Sequence, residues 1–175
     1  SGPASAADAN RVEDAFVYYT GAGAGVTLVS QRLAAPDAAA DGASSGIALA
    51  GNGVVMAFVS AASDLVTQSA ALGRELYVRD FYAGNRRLVS RAAAATSASA
   101  AGLALVEPPH RRTVSDDGRW VVFTSDAPNL VAGQVDPNGE PDVFLYDALG
   151  GAVTLVSHAS GAPARAGSAD SYRPS

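Results

Sequence analysis

One phrase occurs three times along the chain, as Gly25-Val-Thr-Leu-Val-Ser30, Asn85-Arg-Arg-Leu-Val-Ser90 and Ala152-Val-Thr-Leu-Val-Ser157. The copies end 60 and 67 residues apart, at Ser30, Ser90 and Ser157. The match extends backward. Asp14-Ala-Phe-Val-Tyr-Tyr19, Glu75-Leu-Tyr-Val-Arg-Asp80 and Asp142-Val-Phe-Leu-Tyr-Asp147 each join an acid to an apolar and aromatic run, and a glycine-bearing turn follows. Two short apolar runs around such a turn predict a β-hairpin. A repeat of this length limits the chain to a string of similar supersecondary units, each too small to bury both of its faces alone.

A second element occurs twice. Gly53-Val-Val-Met-Ala-Phe-Val-Ser60 aligns with Gly118-Arg-Trp-Val-Val-Phe-Thr-Ser125, so that Phe58 falls on Phe123. Each follows a tight-turn dipeptide, Asn52-Gly53 or Asp117-Gly118, in which glycine supplies positive φ. A full unit then has four strands. They are expected near 46–50, 54–60, 75–80 and 86–90 in the second copy, and near 111–115, 119–125, 142–147 and 152–157 in the third. The seven extra residues of the third copy are placed around Leu103 to Pro109, before its first strand. Ala92 to Ala101 favours helix by composition but offers no large apolar residue to bury, and is expected to be a loop. No segment shows helical periodicity, which makes the chain all-β.

Composition narrows the function. Apolar residues make up 48% and charged residues 17% of 175, a globular balance. A net charge of −5 argues against nucleic acid as a partner. The basic clusters Arg86-Arg87 and His110-Arg111-Arg112 are expected to be solvated strand ends. The absence of cysteine excludes disulfides and thiolate metal sites. No apolar run approaches the roughly 18 residues of a membrane-spanning helix. The chain opens at Ser1 without a signal-peptide pattern, and is expected to be processed or excised from something longer.

Four-stranded units of about 60 residues suggest propeller blades. Val114-Ser-Asp-Asp-Gly-Arg-Trp-Val-Val-Phe-Thr-Ser125 resembles the signature of TolB-like β-propeller repeats, roughly Ser-x-Asp-Gly-Arg, an aromatic, then apolar residues ending in Phe. Asp126-Ala-Pro-Asn-Leu-Val131 and Asp136-Pro-Asn-Gly-Glu-Pro-Asp-Val-Phe-Leu145 continue the likeness. The third copy resembles the family closely. In the second, Gly51-Asn52-Gly53 replaces the acidic turn. The resemblance implies two and a half to three blades of an incomplete propeller. Residues 1–30 form the second half of a blade, 31–90 and 91–157 are blades, and 158–175 start another. Apolar faces are then expected at both ends, covered by further blades of a parent chain or by self-association. The resemblance also implies a secreted or periplasmic setting.

The sharpest chemical candidate is a calcium loop. Asp136-x-Asn138-x-x-x-Asp142 repeats the spacing of Asp8-x-Asn10-x-x-x-Asp14, and Gly139 permits a tight curl. The competing reading is that these side chains bond backbone amides of the turn. Asp80 and Asp147 read as turn formers. Ser115 to Trp120 reads as a hairpin turn capped by Asp116 or Asp117, with Trp120 packed between units. Gly42-Ala-Ser-Ser-Gly46 matches a hydrolase elbow in letters only, because a strand rather than a helix is expected after Ser44. His110 and His158 lack partners at ligand or triad spacing. These observations favour a non-catalytic binding or scaffolding module for a protein, a glycan or an envelope component. The alternatives are the substrate-gating propeller of a larger hydrolase or peptidase, and a structural surface repeat tied by calcium.

Overall fold

A computed structural model describes residues 10–20, 23–67, 73–93, 104–105 and 113–171. The described residues are all-β, without helix. Fourteen strands follow in chain order. Strands β1 (Phe16–Tyr19) and β2 (Gly25–Leu28) pair as a hairpin, as do β3 (Gln31–Arg32) and β4 (Ala35–Ala39). Next come β5 (Ser44–Leu49), β6 (Val55–Ser60), β7 (Glu75–Asp80) and β8 (Arg86–Leu88), which form a four-stranded antiparallel sheet in that order. A second such sheet has the same order in β9 (Ala104–Leu105), β10 (Trp120–Ser125), β11 (Asp142–Asp147) and β12 (Ala152–Leu155). A last hairpin joins β13 (His158–Ala159) to β14 (Ala162–Ala166).

The two four-stranded sheets share one register. Phe58 faces Tyr77 and Phe123 faces Phe144 across the central pair, while Leu88 and Leu155 face those same aromatics from the fourth strand. The first hairpin repeats the outer half, with Phe16 opposite Leu28. The third copy's first strand differs from expectation. Ser44 and Ala104 are equivalent, since they face Ser60 and Ser125, and they lie 60 apart. Val55 and Trp120, which face Asp80 and Asp147, lie 65 apart, and the offset reaches 67 at Glu75 and Asp142. Five of the extra residues therefore fall between Ala104 and Trp120. The first strand begins at Ala104–Leu105 and resumes at Val114, which bridges Val121. The second unit has a bulge between Ser45 and Ala48 at the same place. A bulge is where a ladder is already broken, so added residues cost no further pairing there. Residues 94–101 of the expected loop, and 106–110, lie outside the described residues.

Burial shows why three similar sheets follow one another. Strand β6 is buried along its whole length, on both faces. Met56 and Phe58 on one face join Tyr77 and Leu88 in a cluster with Ala15, Val17 and Val29 of the first hairpin. Val55, Ala57 and Val59 on the other face join Leu76 and Val78 against Val121, Phe123, Phe144 and Tyr146 of the third unit. Alternation along a strand sends neighbouring residues to opposite faces, so each unit leans backward on one neighbour and forward on the next. The backward faces carry equivalent stacked aromatic pairs, Phe58–Tyr77 at 5.7 Å and Phe123–Phe144 at 5.6 Å between ring centroids. Full burial of such side chains contributes about 1.5–3 kcal/mol each, and the stacking about 0.5–1.5 kcal/mol per pair beyond that.

Turn chemistry fixes the spacing between sheets. Gly118, at φ +74°, sits so close to Val55 that a Cβ there would lie 2.9 Å from the valine side chain. The Asn52 side chain donates to the Asp117 carbonyl and its backbone N–H to that of Asp116, tying one unit's turn to the next. Val55 is buried beneath that glycine, whereas its equivalent Trp120 is 37% exposed. Among the described residues no further turn covers Trp120. Instead of packing between units, its ring carries the Arg119 guanidinium 4.6 Å from its centroid.

Candidate functional site

The repeated acid and the repeated serine of each unit meet in one arrangement. The serine that follows the second strand of each outer hairpin (β2, β8 or β12) donates its hydroxyl to the acid at or just before the start of the first (β1, β7 or β11), and accepts the backbone N–H of the residue after that acid. Ser30 bonds Asp14 Oδ1 at 2.6 Å and Ala15 N at 3.0 Å. Ser90 bonds Glu75 Oε2 at 2.5 Å and Leu76 N at 2.8 Å. Ser157 bonds Asp142 Oδ1 at 2.7 Å and Val143 N at 2.9 Å. This clasp closes each outer hairpin at the end opposite its turn. Burial of the serine is nearly complete in the first two units, as is that of the acid in the last two.

Asp14 and Asp142, two of the six candidate calcium ligands, are thus clasp members. The loops before them are built alike. Asp136 Oδ1 accepts the N–H of Gly139 at 2.9 Å and of Asn138 at 3.3 Å, and Asn138 Oδ1 accepts that of Glu140 at 3.4 Å. Asn10 Oδ1 accepts the equivalent N–H, from Val12, at 3.0 Å. Arg11 at φ +59° makes the curl that Gly139 makes at +66°. The second oxygens differ. Asp14 Oδ2 accepts from the Asn10 amide at 3.3 Å, whereas Asp142 Oδ2 is buried without a hydrogen-bond partner. Burial, and then the nearby charge of Asp136, push the Asp142 carboxyl above its usual range against the opposing bond from Ser157. Asp8 lies outside the described residues. Among the described residues no three His, Asp or Glu side chains gather to hold a metal ion.

The remaining sequence candidates have structural partners. Asp80 Oδ1 accepts the N–H groups of Tyr82 and Ala83, and Asp147 Oδ1 that of Leu149. Asp147 also pairs with Arg119 at 3.3 Å. Asp117 is the cap of the Ser115–Trp120 hairpin, accepting from Arg119 N and from the Ser115 hydroxyl. Ser44 lies in β5, and its buried hydroxyl bonds that of Ser60 at 2.9 Å. His158 is exposed in β13, and His110 lies outside the described residues.

Sequence reasoning missed a basic cavity. A hollow of about 650 Å³ opens along β8 at the outer edge of the second unit, and the third unit contributes Tyr146 and Gly151 to its lining. Arg79, Arg86, Arg87 and Arg91 line it, with Leu33, Leu65, Val66 and Leu88 as apolar wall and Tyr146 from the third unit. Among the described residues that line it there is no Asp or Glu. Arg86 is not the solvated strand end expected from its sequence. Its Nη1 donates to the carbonyls of Gln31 at 2.5 Å and Leu65 at 3.1 Å, and its Nε is buried without a partner. Burial, with Arg79 nearby, lowers its pKa to about 10 despite the attraction of Asp64. That carboxylate is held by Arg32 at 2.8 Å. Arg87 donates to the Ala148 carbonyl and Arg91 to that of Gly151, so two of the four guanidiniums tie the units together. The signal was parity. Arg86 lies two residues before Leu88, whose equivalents Leu28 and Leu155 are also buried, and so shares their face.

Among the described residues no helix is long and apolar enough to cross a membrane. Compared with protein-family models and with curated proteins, the chain matches none.

Proposed function

We propose that the chain is a non-catalytic binding or scaffolding module built from β-propeller blades of the TolB-like type, engaging a protein, a glycan or another component of the cell envelope. One observation carries the reading: units of the same strand order and register stack head to tail, each with its aromatic pair turned toward the preceding one. Blades around an axis require that each sheet present one face backward and the other forward. In this reading residues 1–30 complete a blade, 31–90 and 91–157 are whole blades, and 158–175 begin another. The extracytoplasmic setting rests on the sequence resemblance. Retention of the chain on immobilised envelope extract, with background turnover of peptide, ester and glycoside substrates, is the expected result. Turnover that survives purification and disappears in Ser44→Ala would refute it.

A second reading, calcium held by Asp136, Asn138 and Asp142, is favoured by the buried Asp142 Oδ2 that lacks a donor. Buried carboxylate oxygens are ordinarily paired with a donor or a metal. Calcium should then raise the melting temperature of the chelator-treated protein, and Asp136→Asn should abolish the rise. A melt indifferent to both calcium and chelator removes this reading.

A further inference from the structure

We propose that the cavity along β8, at the outer edge of the second unit, binds a small organic oxyanion, a carboxylate or phosphate group carried on an apolar body. The inference deepens the binding reading above and rests on it. Arg79, Arg86, Arg87 and Arg91 are four of the chain's twelve basic residues, gathered into 13 positions of an acidic protein. All four line one hollow, with no carboxylate among the described residues that line it. The guanidinium of Arg79 makes no hydrogen bond or ion pair among the described residues, and it acts on Arg86 as a like charge. Concentrating like charge beside low-dielectric walls is unfavourable until an anion enters, and the same walls then strengthen the attraction. Guanidinium donors suit the planar or tripodal oxygens of carboxylate and phosphate. Leu33, Leu65, Val66 and Leu88 give an apolar body something to cover, and about 650 Å³ lies within the range of small-molecule sites. Arg86 and Arg91 are anchored to backbone carbonyls, which leaves Arg79 and the outer donors of Arg87 to meet the ligand.

Calorimetric titration at fixed ionic strength tests this with four probes: phenyl phosphate, benzoate, inorganic phosphate and phenol. Wild type is compared with Arg79→Gln, Arg87→Gln and the control Arg165→Gln, an exposed arginine of β14, each checked for an unchanged circular dichroism spectrum. At least one aromatic anion should bind, more tightly than inorganic phosphate and far more tightly than phenol. Loss of one charge-assisted contact should weaken it about 10-fold or more in Arg79→Gln, with Arg165→Gln unchanged. The stronger of the two aromatic anions identifies the headgroup as phosphate or carboxylate. No binding of either anion, equal binding by Arg79→Gln and wild type, or phenol binding as tightly as the anions would overturn the proposal. Those failures leave retention on envelope extract untouched, so they are distinguishable from failure of the binding reading itself.

Discussion

Replacing Ser90 by alanine should destabilise the chain out of proportion to the single oxygen removed. The Ser90 hydroxyl is nearly solvent-free, as are the Glu75 carboxylate it donates to at 2.5 Å and the Leu76 N–H it accepts at 2.8 Å. A hydrogen bond to a charged group contributes about 1.5–3 kcal/mol, and a buried donor left unpaired costs about 1–3 kcal/mol. Allowing for partial relaxation, the expected loss is about 3 kcal/mol, or about 6–12 °C in melting temperature for a chain of this size. Urea unfolding followed by circular dichroism and by Trp120 fluorescence measures it. Ser30→Ala should cost less, because Asp14 is only half-buried and keeps a bond from the Asn10 amide. In a Glu75→Gln background the cost of Ser90→Ala should fall toward about 1 kcal/mol, the worth of a bond between neutral groups. A loss under about 1 kcal/mol in the parent, or equal losses at Ser30 and Ser90, would refute the clasp as a source of stability.

Three further outcomes are expected. Gly118→Ala combines positive φ with a 2.9 Å approach to Val55, whereas Gly53→Ala combines the same kind of φ with open space; urea unfolding should give about 1 kcal/mol for Gly53→Ala and at least twice that for Gly118→Ala. Arg11 is left-handed at φ +59°, so Arg11→Gly should be more stable than Arg11→Ala, which loses the same side chain but keeps the strain, by about 1 kcal/mol in the same assay. Asp142 binds its proton more tightly folded than unfolded, so its contribution to stability is greatest below about pH 3.8 and declines as pH rises through the raised folded value. In chelator, Asp142→Asn should therefore gain on wild type as pH rises from below about 3.8 in urea titrations, and a relative loss on that rise would contradict the burial of this carboxylate.

The sequence exposed what depends on chain-local pattern and hid what depends on neighbours. Three copies of one phrase place the outer hairpins, and the alignment of Phe58 with Phe123 foretells their shared register against Tyr77 and Phe144. Of the first strand of the third unit only the part at Val114 was expected, because Ala104–Leu105 is too short to show a period and only pairing with β10 relates the two fragments. The acid and the serine were visible as the ends of repeated phrases. Their bond was not, because it crosses a hairpin between residues 15 or 16 positions apart. Trp120 was expected to pack between units, as its equivalent Val55 does. The two occupy the same place in their sheets, and only the presence of a following turn buries one of them.

The same contrast separates the repeating unit of sequence from the unit of stability. Neither large apolar cluster lies within one sheet. One joins the first hairpin to the backward face of the second unit, and the other joins the second unit's forward face to the third unit's backward face. Removing any unit would therefore expose half of a cluster belonging to its neighbour, as expected of stacked repeats whose stability resides largely in their interfaces. Equivalent residues give the measure. Tyr77 and Phe144 are fully buried by the unit behind them, while Phe16, at the same place in the first hairpin, is 47% exposed. On the forward side, Leu76 and Val78 are buried, whereas their equivalents Val143 and Leu145 are only half-buried. The chemistry of these positions hardly changes from copy to copy, so the difference in burial comes from the neighbour. Among the described residues the faces between units are covered and the outermost faces are the exposed ones, so the burial of a repeated position is set by the sheet beside it and not by its own strand.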